Sequence, residues 1–222
     1  SSNTATFEIT KRPITIEAAS KSKEYDGTAL EADGVNITSG STGTGDSLTA
    51  SVSGSITNVG EVTIVIGSPK VLKGTYDVTS SYEITQVNGT LKITERAVTI
   101  TAKDQTISYG ESISQGVSNV TLTNGVSGHE VGSVTLTASQ SNAGTGKITP
   151  KNAKIINDSS EDVTANYNIT YVDGILTINK KSVILGFSSA LLIVCVNFFT
   201  PIRAEGRACS DVTNGFRNRF IK

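Results

Sequence analysis

The chain has 222 residues and a formal net charge of −1, with 21 glycines, no tryptophan and no methionine. Aromatic residues make up only 5% of it, and Thr, Ser, Val and Ile are abundant. β-Branched residues favour strands and glycines supply turns, so this composition predicts an all-β protein with thin aliphatic cores. Both cysteines, Cys195 and Cys209, lie near the C-terminus, which excludes a disulfide framework or thiolate metal site elsewhere.

The charge is unevenly distributed along the chain. Residues 1–179 carry 12 Lys and Arg against 18 Asp and Glu, whereas residues 180–222 carry 7 against 2. Basic residues in the acidic part are scattered, so we expect no nucleic-acid partner. Because the sequence contains no methionine, we expect it to lie inside a longer protein, with a processed mature chain as the alternative.

One stretch of the sequence occurs twice. DVTSSYEITQVNGTLKIT at 77–94 matches DVTANYNITYVDGILTIN at 162–179, 85 positions later. A fixed period of this kind indicates stacked copies of one unit. We therefore predict two tandem β-modules of about 84–85 residues in an elongated array: repeat one at 11–95 and repeat two at 96–181.

The segment before repeat one is predicted to belong to another copy. Residues 7–10 (FEIT) are followed by Lys11 and Arg12, as LKIT at 91–94 is followed by Glu95 and Arg96. Residues 1–10 are therefore interpreted as the end of a preceding repeat.

Within repeat one, alternating apolar and polar residues predict strands and glycine-rich segments predict turns. The predicted strands are 14–16, 48–52, 62–66, 82–87 and 90–94, and the predicted turns and loops are 25–27, 40–46 and 58–60. Asn88 and Gly89 separate the last two strands and predict a closing hairpin with a type I′ turn, which needs positive φ at both central residues.

Repeat two carries the same markers at equivalent places. A strand is predicted at 98–100 and a hairpin turn at Asp173 and Gly174. Residues 109–111 (YGE) correspond to 25–27 (YDG), 142–144 (NAG) to 58–60 (NVG), and Glu130 to Asp46. Since these matches concern strands and turns, they predict a shared fold and no shared site.

These motifs resemble the MBG and YDG repeats of bacterial surface proteins. Repeat one is similar to the YDG type through residues 25–27, and repeat two to the YGx type through residues 109–111. The closing runs at 77–94 and 162–179 are the most specific part, with Ser81 departing from the pattern where repeat two has Asn166. The resemblance covers about residues 11–180. It implies β-rich, β-grasp-like modules in secreted or wall-attached adhesin-like proteins, and no catalytic residues.

The pattern breaks off in the C-terminal part, residues 182–222. Residues 180–185 resemble the opening of a third repeat, and 182–202 is an uncharged run of 21 residues. Such a run is long enough to span a bilayer as a helix, so 183–202 is a candidate membrane segment. Five cations follow it, which favours repeats outside the cell. The alternatives are an adventitious tail from a frameshift or truncation and a packed core element.

Few residues suggest chemistry. His129, the only histidine, has no visible partner for a metal site or a nucleophile and is interpreted as an exposed loop residue. The acidic cluster at 158–162 contains ligands of the kind calcium prefers, but a solvated turn with an Asx-type hydrogen bond from Asp162 is favoured. We therefore predict no catalytic, cofactor-binding or metal site.

Four tyrosines recur at equivalent places and are interpreted as packing groups whose hydroxyls reach backbone partners. They are Tyr25, Tyr82, Tyr109 and Tyr167. The alternative, stacking on sugars, requires that they be exposed. A Lys–Asn isopeptide cross-link of the kind some surface modules carry is a further alternative, with Lys92 on a predicted closing strand as the candidate lysine.

The sequence thus favours a non-enzymatic stalk or spacer of a bacterial secreted or cell-surface, adhesin-like protein. Its partners are then the neighbouring repeats, with membrane anchoring if the tail inserts. The alternative is that the modules bind host glycan or protein through the loops at 40–46 and 121–130, since loops commonly carry recognition.

Overall fold

In the computed structural model, residues 6–182 can be described, and over this range the protein is all-β, as the composition predicted. It contains 19 strands and three single 3₁₀ turns, and no α-helix occurs within these residues. The 3₁₀ turns are Thr79–Ser81, Val117–Asn119 and Thr164–Asn166. The described residues up to Lys180 belong to one compact unit.

The strands of repeat one are β1 (Arg12–Ala18), β2 (Lys21–Glu24), β3 (Leu30–Glu31), β4 (Val35–Ser39), β5 (Asp46–Thr49), β6 (Val52–Ser53), β7 (Ser55–Ile56), β8 (Gly60–Ile66), β9 (Lys70–Lys73), β10 (Tyr76–Asp77), β11 (Tyr82–Val87) and β12 (Gly89–Thr94). Those of repeat two are β13 (Arg96–Ala102), β14 (Gln105–Ser108), β15 (Val120–Thr123), β16 (Glu130–Ala138), β17 (Gly144–Ile156), β18 (Tyr167–Val172) and β19 (Gly174–Asn179).

Both repeats use the same pairing plan. One mixed sheet has the order β11-β1-β4 in repeat one and β18-β13-β15 in repeat two. A second has the order β2-β12-β8-β6 in repeat one and β14-β19-β17-β16 in repeat two. In each repeat the first two strands run parallel to the last two, β1 with β11 and β2 with β12, then β13 with β18 and β14 with β19.

The predicted closing hairpin is wrong. β11 and β12 do not pair with each other but lie in different sheets, and neither Gly89 nor Gly174 has a positive φ. These glycines stand where the chain passes from one sheet to the other. A Cβ at Gly89 would collide with the Ala18 carbonyl oxygen, and one at Gly174 would lie 2.6 Å from that of Ala102. Both positions therefore require glycine because another backbone segment approaches closely.

The cores follow the period-two alternation of the strands. In β1 the buried residues are Ile14, Ile16 and Ala18, and in β13 they are Val98, Ile100 and Ala102. The closing strands contribute Leu91 and Ile93 in repeat one and Leu176 and Ile178 in repeat two. The cores are therefore thin and aliphatic, and tyrosine is the one aromatic residue type among the buried side chains of residues 6–182.

Two segments differ from the predicted strands. The predicted strand at 48–52 is divided, because β5 pairs with β9 whereas β6 pairs with β8. Residues 7–10 form no strand, and the side chains of Phe7 and Ile9 are 91% and 98% exposed. That these residues end a preceding repeat stays a prediction.

The candidate membrane segment 183–202 lies outside the described residues, as does the rest of the tail from residue 183. Among residues 6–182, none of the elements is a helix long and apolar enough to cross a membrane.

Candidate functional site: the junction between the repeats

The two repeats meet at a junction that continues their hydrophobic cores. Glu95 alone separates β12 from β13. Behind this link, one apolar cluster contains residues of both repeats: Tyr25 and Ile93 from repeat one with Val98, Ile155, Val163 and Tyr167 from repeat two. Each of the six is at most 9% exposed. Burial of such side chains stabilises by about 1.5–3 kcal/mol each, so the junction is a packed interface rather than a linker.

Tyr25 is the largest group that repeat one contributes to this interface. It follows β2, where its backbone N–H donates to the Thr94 carbonyl oxygen at 2.9 Å. Its ring packs edge-on against that of Tyr167, with 5.4 Å between centroids. Burial raises the pKa of the Tyr25 hydroxyl above its ordinary value of 10.0, which keeps the group neutral in the junction.

Asn166 joins the two repeats through polar contacts. Its side chain is 4% exposed, and its Oδ1 accepts a hydrogen bond from the Val59 backbone N–H at 2.7 Å. Its Nδ2 donates to Oδ1 of Asn58 at 3.1 Å. A carboxamide that is satisfied on both sides fixes one orientation of the two repeats, because other orientations would leave buried polar atoms unpaired.

The interpretation of His129 as an exposed loop residue is wrong. Gly128, with φ +81°, turns the loop back so that the imidazole is half-buried in the junction. Its Nδ1 lies 2.6 Å from the Tyr167 hydroxyl oxygen, which also accepts the Val126 backbone N–H at 3.3 Å. The ring centroid lies 6.0 Å from that of Tyr25.

The equivalent of His129 in repeat one is Asp46, so the predicted match of Asp46 with Glu130 is wrong by one residue. Asp46 Oδ2 accepts the Tyr82 hydroxyl at 2.5 Å, and that hydroxyl accepts the Gly43 N–H at 2.7 Å. The other carboxylate oxygen of Asp46 is buried without a hydrogen-bond partner. The hydroxyls of Tyr82 and Tyr167 are thus bound by loops of the same shape, one ending in Asp46 and the other in His129.

Close steric contact completes the interface. A Cβ placed at Gly27 would lie 3.2 Å from Cγ1 of Val126 and 3.8 Å from Nε2 of His129. At the rim, Arg96 pairs with Glu24 at 3.3 Å and donates to the Asn124 carbonyl oxygen at 2.7 Å. The rim pair is partly exposed to solvent and so contributes little. Gly27 has a φ of +79°, so a side chain there would be strained by its backbone as well as by the contact with Val126.

Two grooves flank the junction. One, of about 490 Å³, is the more polar and is lined by residues that include Asn58, His129, Glu161 and Asn166. The other, of about 610 Å³, is more apolar, and Glu61, Lys92 and Asn168 are among its lining residues. Within residues 6–182, no three His, Cys, Asp or Glu side chains lie close enough together to hold a metal ion.

The acidic cluster at 158–162 is a hydrogen-bonded turn, as predicted. Asn157 Oδ1 accepts the backbone N–H of Ser159 at 3.0 Å and that of Glu161 at 2.9 Å. Asp162 makes the expected Asx-type bond, accepting the Thr164 N–H at 3.1 Å. Hydrogen bonds from the Thr164 side chain and backbone lower the pKa of Asp162 below its ordinary value.

The remaining predicted residues differ in their placement. Tyr82 and Tyr167 are buried with hydroxyls on backbone N–H groups, as expected, and Tyr25 is buried too. Tyr109 is 50% exposed, so its interpretation as a packing group is wrong. Lys92 pairs with Glu61 at 2.9 Å on the surface.

The two loops considered for recognition occupy equivalent faces. The predicted loop at 121–130 is shorter in the structure, since 121–123 belong to β15 and Glu130 begins β16, and the remaining loop supplies Val126 and His129 to the junction, where repeat one partly covers it. The loop at 40–46 holds Asp46 at the outer face of repeat one. Sequence reasoning missed Asn166 and His129 as junction residues. Asn166 had a signal, because repeat one has Ser81 at that place, whereas His129 had none, because the repeat match paired Asp46 with Glu130.

No family model matches the chain, and no curated protein is significantly similar to it. Membership of the MBG and YDG repeats is therefore a proposal. The function is therefore inferred from the packed junction between the repeats and from the strand topology.

Proposed function

We propose that the chain supplies two tandem modules of a stalk or spacer in a bacterial secreted or cell-surface protein of the adhesin-like type. The modules are of the MBG and YDG kind and have no enzymatic role. They hold another part of the protein at a set distance from the cell, and their partners are the adjoining repeats. If the tail inserts into a membrane, it anchors this array.

The observation that carries the proposal is the junction itself. One residue, Glu95, links the repeats, and an apolar cluster and the Asn166 hydrogen bonds cross between them. Short, packed connections restrict bending between modules, which a spacer requires. The excess of acidic residues over residues 1–179 keeps such an array soluble and limits non-specific contacts.

The proposal includes an elongated arrangement of β-grasp-like modules. The parallel pairing of first and last strands in each repeat is consistent with that fold. The described residues contain no helix packed on the sheets, which departs from it.

The rival function is ligand binding through the loops at 40–46 and 121–130. The part of the second loop that packs in the junction is unavailable to a host ligand in this arrangement, which supports the spacer. A glycan or protein array probed with the full chain distinguishes the two. Specific retention that is lost on substitution of residues in the loop at 40–46 would favour the binding function.

The stiffness of the junction is directly measurable. Spin labels placed at Lys70 in repeat one and Lys151 in repeat two, both exposed, report the distance between the repeats when Cys195 and Cys209 are replaced by serine. A spacer predicts one narrow distance distribution. A broad distribution would show independent repeats and would contradict the proposal.

Location is tested separately on the source bacterium. Antibodies against the repeats should label intact cells, or detect the protein in the medium, and external protease should remove the cell-bound signal. Labelling only after permeabilisation would contradict the surface assignment.

A further inference from the structure

The strand pairing of each repeat determines how the repeat resists tension along the chain. In repeat one, β1 and β2 at the N-terminal end pair in parallel with β11 and β12 at the C-terminal end. We infer that each repeat is a mechanical clamp: pulling on the chain ends loads these hydrogen bonds in shear, so that the repeat resists force far better along this direction than along others.

The direction of loading follows from the register. Arg12, at the start of β1, lies beside Tyr82, at the start of β11, and the pairing continues in parallel to Glu17 beside Val87. Tension draws β1 toward its N-terminal end and β12 toward its C-terminal end. Because β1 continues into β2 and β11 continues into β12, the paired strands β1 and β11, and likewise β2 and β12, are pulled in opposite directions along their length. Many hydrogen bonds must then fail together rather than one after another.

The second parallel pair of repeat one is loaded in the same direction. It runs from Lys21 beside Leu91 to Glu24 beside Thr94, where the repeat ends. The side chains behind the clamp are among the most deeply buried of the repeat: Ile14 and Ile16 on β1 and Leu91 on β12 are at most 2% exposed. Water is thereby kept from one side of the loaded strands, which slows its competition for their hydrogen bonds.

Repeat two is built in the same way. β13 pairs with β18 from Arg96 beside Tyr167 to Thr101 beside Val172. β14 pairs with β19 over a shorter stretch that ends with Ser108 beside Asn179. Because Glu95 alone connects β12 to β13, force leaves the clamp of repeat one and enters that of repeat two without a slack segment.

This inference deepens the stalk proposed above, since a surface stalk that links a cell to an attachment point experiences tension. Its test measures unfolding force alone. If the measured unfolding forces contradict the clamp, the predictions about surface location and junction stiffness still stand. If the protein is not on the cell surface, the clamp can still be measured.

Single-molecule force spectroscopy on the full chain provides the test, with two attachment geometries compared on the same repeat at the same loading rate. In the shear geometry the handles are on the two chain ends. In the peeling geometry they are on Ser1 and on a cysteine at Ser81, an exposed residue directly before β11, in a Ser81→Cys chain in which Cys195 and Cys209 are serine. Pulling there separates the adjacent starts of β1 and β11 one bond at a time.

We expect the shear geometry to give resolved unfolding peaks that release roughly 280 Å of contour for each repeat unfolded, at about 3.5 Å per residue. Repeat one should unfold at a several-fold higher force than in the peeling geometry. The Ser81→Cys chain pulled by its ends controls for the substitution and should retain the high force. Equal forces in the two geometries, or end-to-end extension without resolved peaks, would overturn the inference.

Discussion

At the scale of single residues, Asn166 determines most of the polar contact between the repeats. Substitution of Asn166 by alanine removes the acceptor of the Val59 N–H and the donor to Asn58. We predict a loss of about 1–3 kcal/mol in the free energy of unfolding, because the freed groups stay partly buried. The midpoint of urea unfolding measures it.

The matched control for this substitution is Ser81→Ala. Ser81 is the equivalent residue at the outer face of repeat one and is exposed. Its replacement should change the free energy of unfolding by no more than about 0.5 kcal/mol. Equal effects of the two substitutions would contradict the assignment of Asn166 to the junction.

The carboxylate of Asp26, also beside the junction, makes the free energy of unfolding depend on pH. The Lys23 ammonium and Thr28 hydrogen-bond its carboxylate and lower its pKa from 3.8 to about 2. A depressed folded-state pKa stabilises above the unfolded value and loses that effect as pH falls. We predict that wild type exceeds Asp26→Asn in stability at pH 6 and that the difference disappears between pH 4 and about 2.

Urea unfolding at several pH values tests this dependence. Asp33→Asn removes one exposed carboxylate from the same repeat and controls for the change in net charge. A difference between wild type and Asp26→Asn that stays constant down to pH 2 would contradict the shifted pKa of Asp26.

Local sequence predicted some of these residues and not others. The Asx turn at Asp162 was predictable, because an Asp two residues before a Thr can accept its backbone N–H without help from distant residues. The role of His129 was not predictable. Its partner Tyr167 is 38 positions away in the same repeat, and its neighbour Tyr25 belongs to repeat one and meets it only after both repeats have folded.

At the scale of elements, Gly89 and Gly174 govern the passage between sheets. Because a Cβ at Gly89 would overlap the Ala18 carbonyl oxygen, we predict that Gly89→Ala destabilises repeat one by about 2–3 kcal/mol. Thermal unfolding followed by circular dichroism measures the change.

Gly34→Ala is the control, since nothing lies within 4 Å of a Cβ there and its φ is not positive. A Gly89→Ala protein as stable as Gly34→Ala would contradict the close backbone approach.

The failed hairpin prediction shows what local patterns cannot decide. Asn88–Gly89 and Asp173–Gly174 are strong hairpin signals when only neighbouring residues are considered. Here β11 instead pairs with β1, about 70 positions earlier, which places Ile84 beside Ile14. Strand alternation predicted long strands such as β1, β8, β11 and β12 but missed most of the short ones, and the choice of partner strand depends on burial across the whole repeat.

At the scale of the whole molecule, the shared apolar cluster couples the repeats. We predict one cooperative unfolding transition for both. Tyr25→Ala, which removes the ring that fills the junction, should lower stability by about 3–5 kcal/mol and separate the transition into two. Differential scanning calorimetry resolves one transition from two.

Tyr109→Ala provides the comparison, because Tyr109 occupies the equivalent place in repeat two and is half exposed. It should leave the single transition intact. Two transitions in the wild-type protein would contradict the coupling. At this scale the period of 85 residues predicted the two repeats, whereas the tight junction depends on side chains from both and had no local signature.

The contact at Gly27 has a consequence for how such a chain evolves. The tyrosine that precedes it by two positions has its counterpart in Tyr109, and two positions after Tyr109 stands Glu111. A glutamate at this place would need a positive φ of +79° and would press its Cβ against Cγ1 of Val126 at 3.2 Å, so both the backbone and Val126 would be strained. Recombination between the two copies in the gene could therefore not exchange them freely. The order of the two repeats is therefore inherited together with junction residues such as Gly27, which allow repeat one to pack against repeat two.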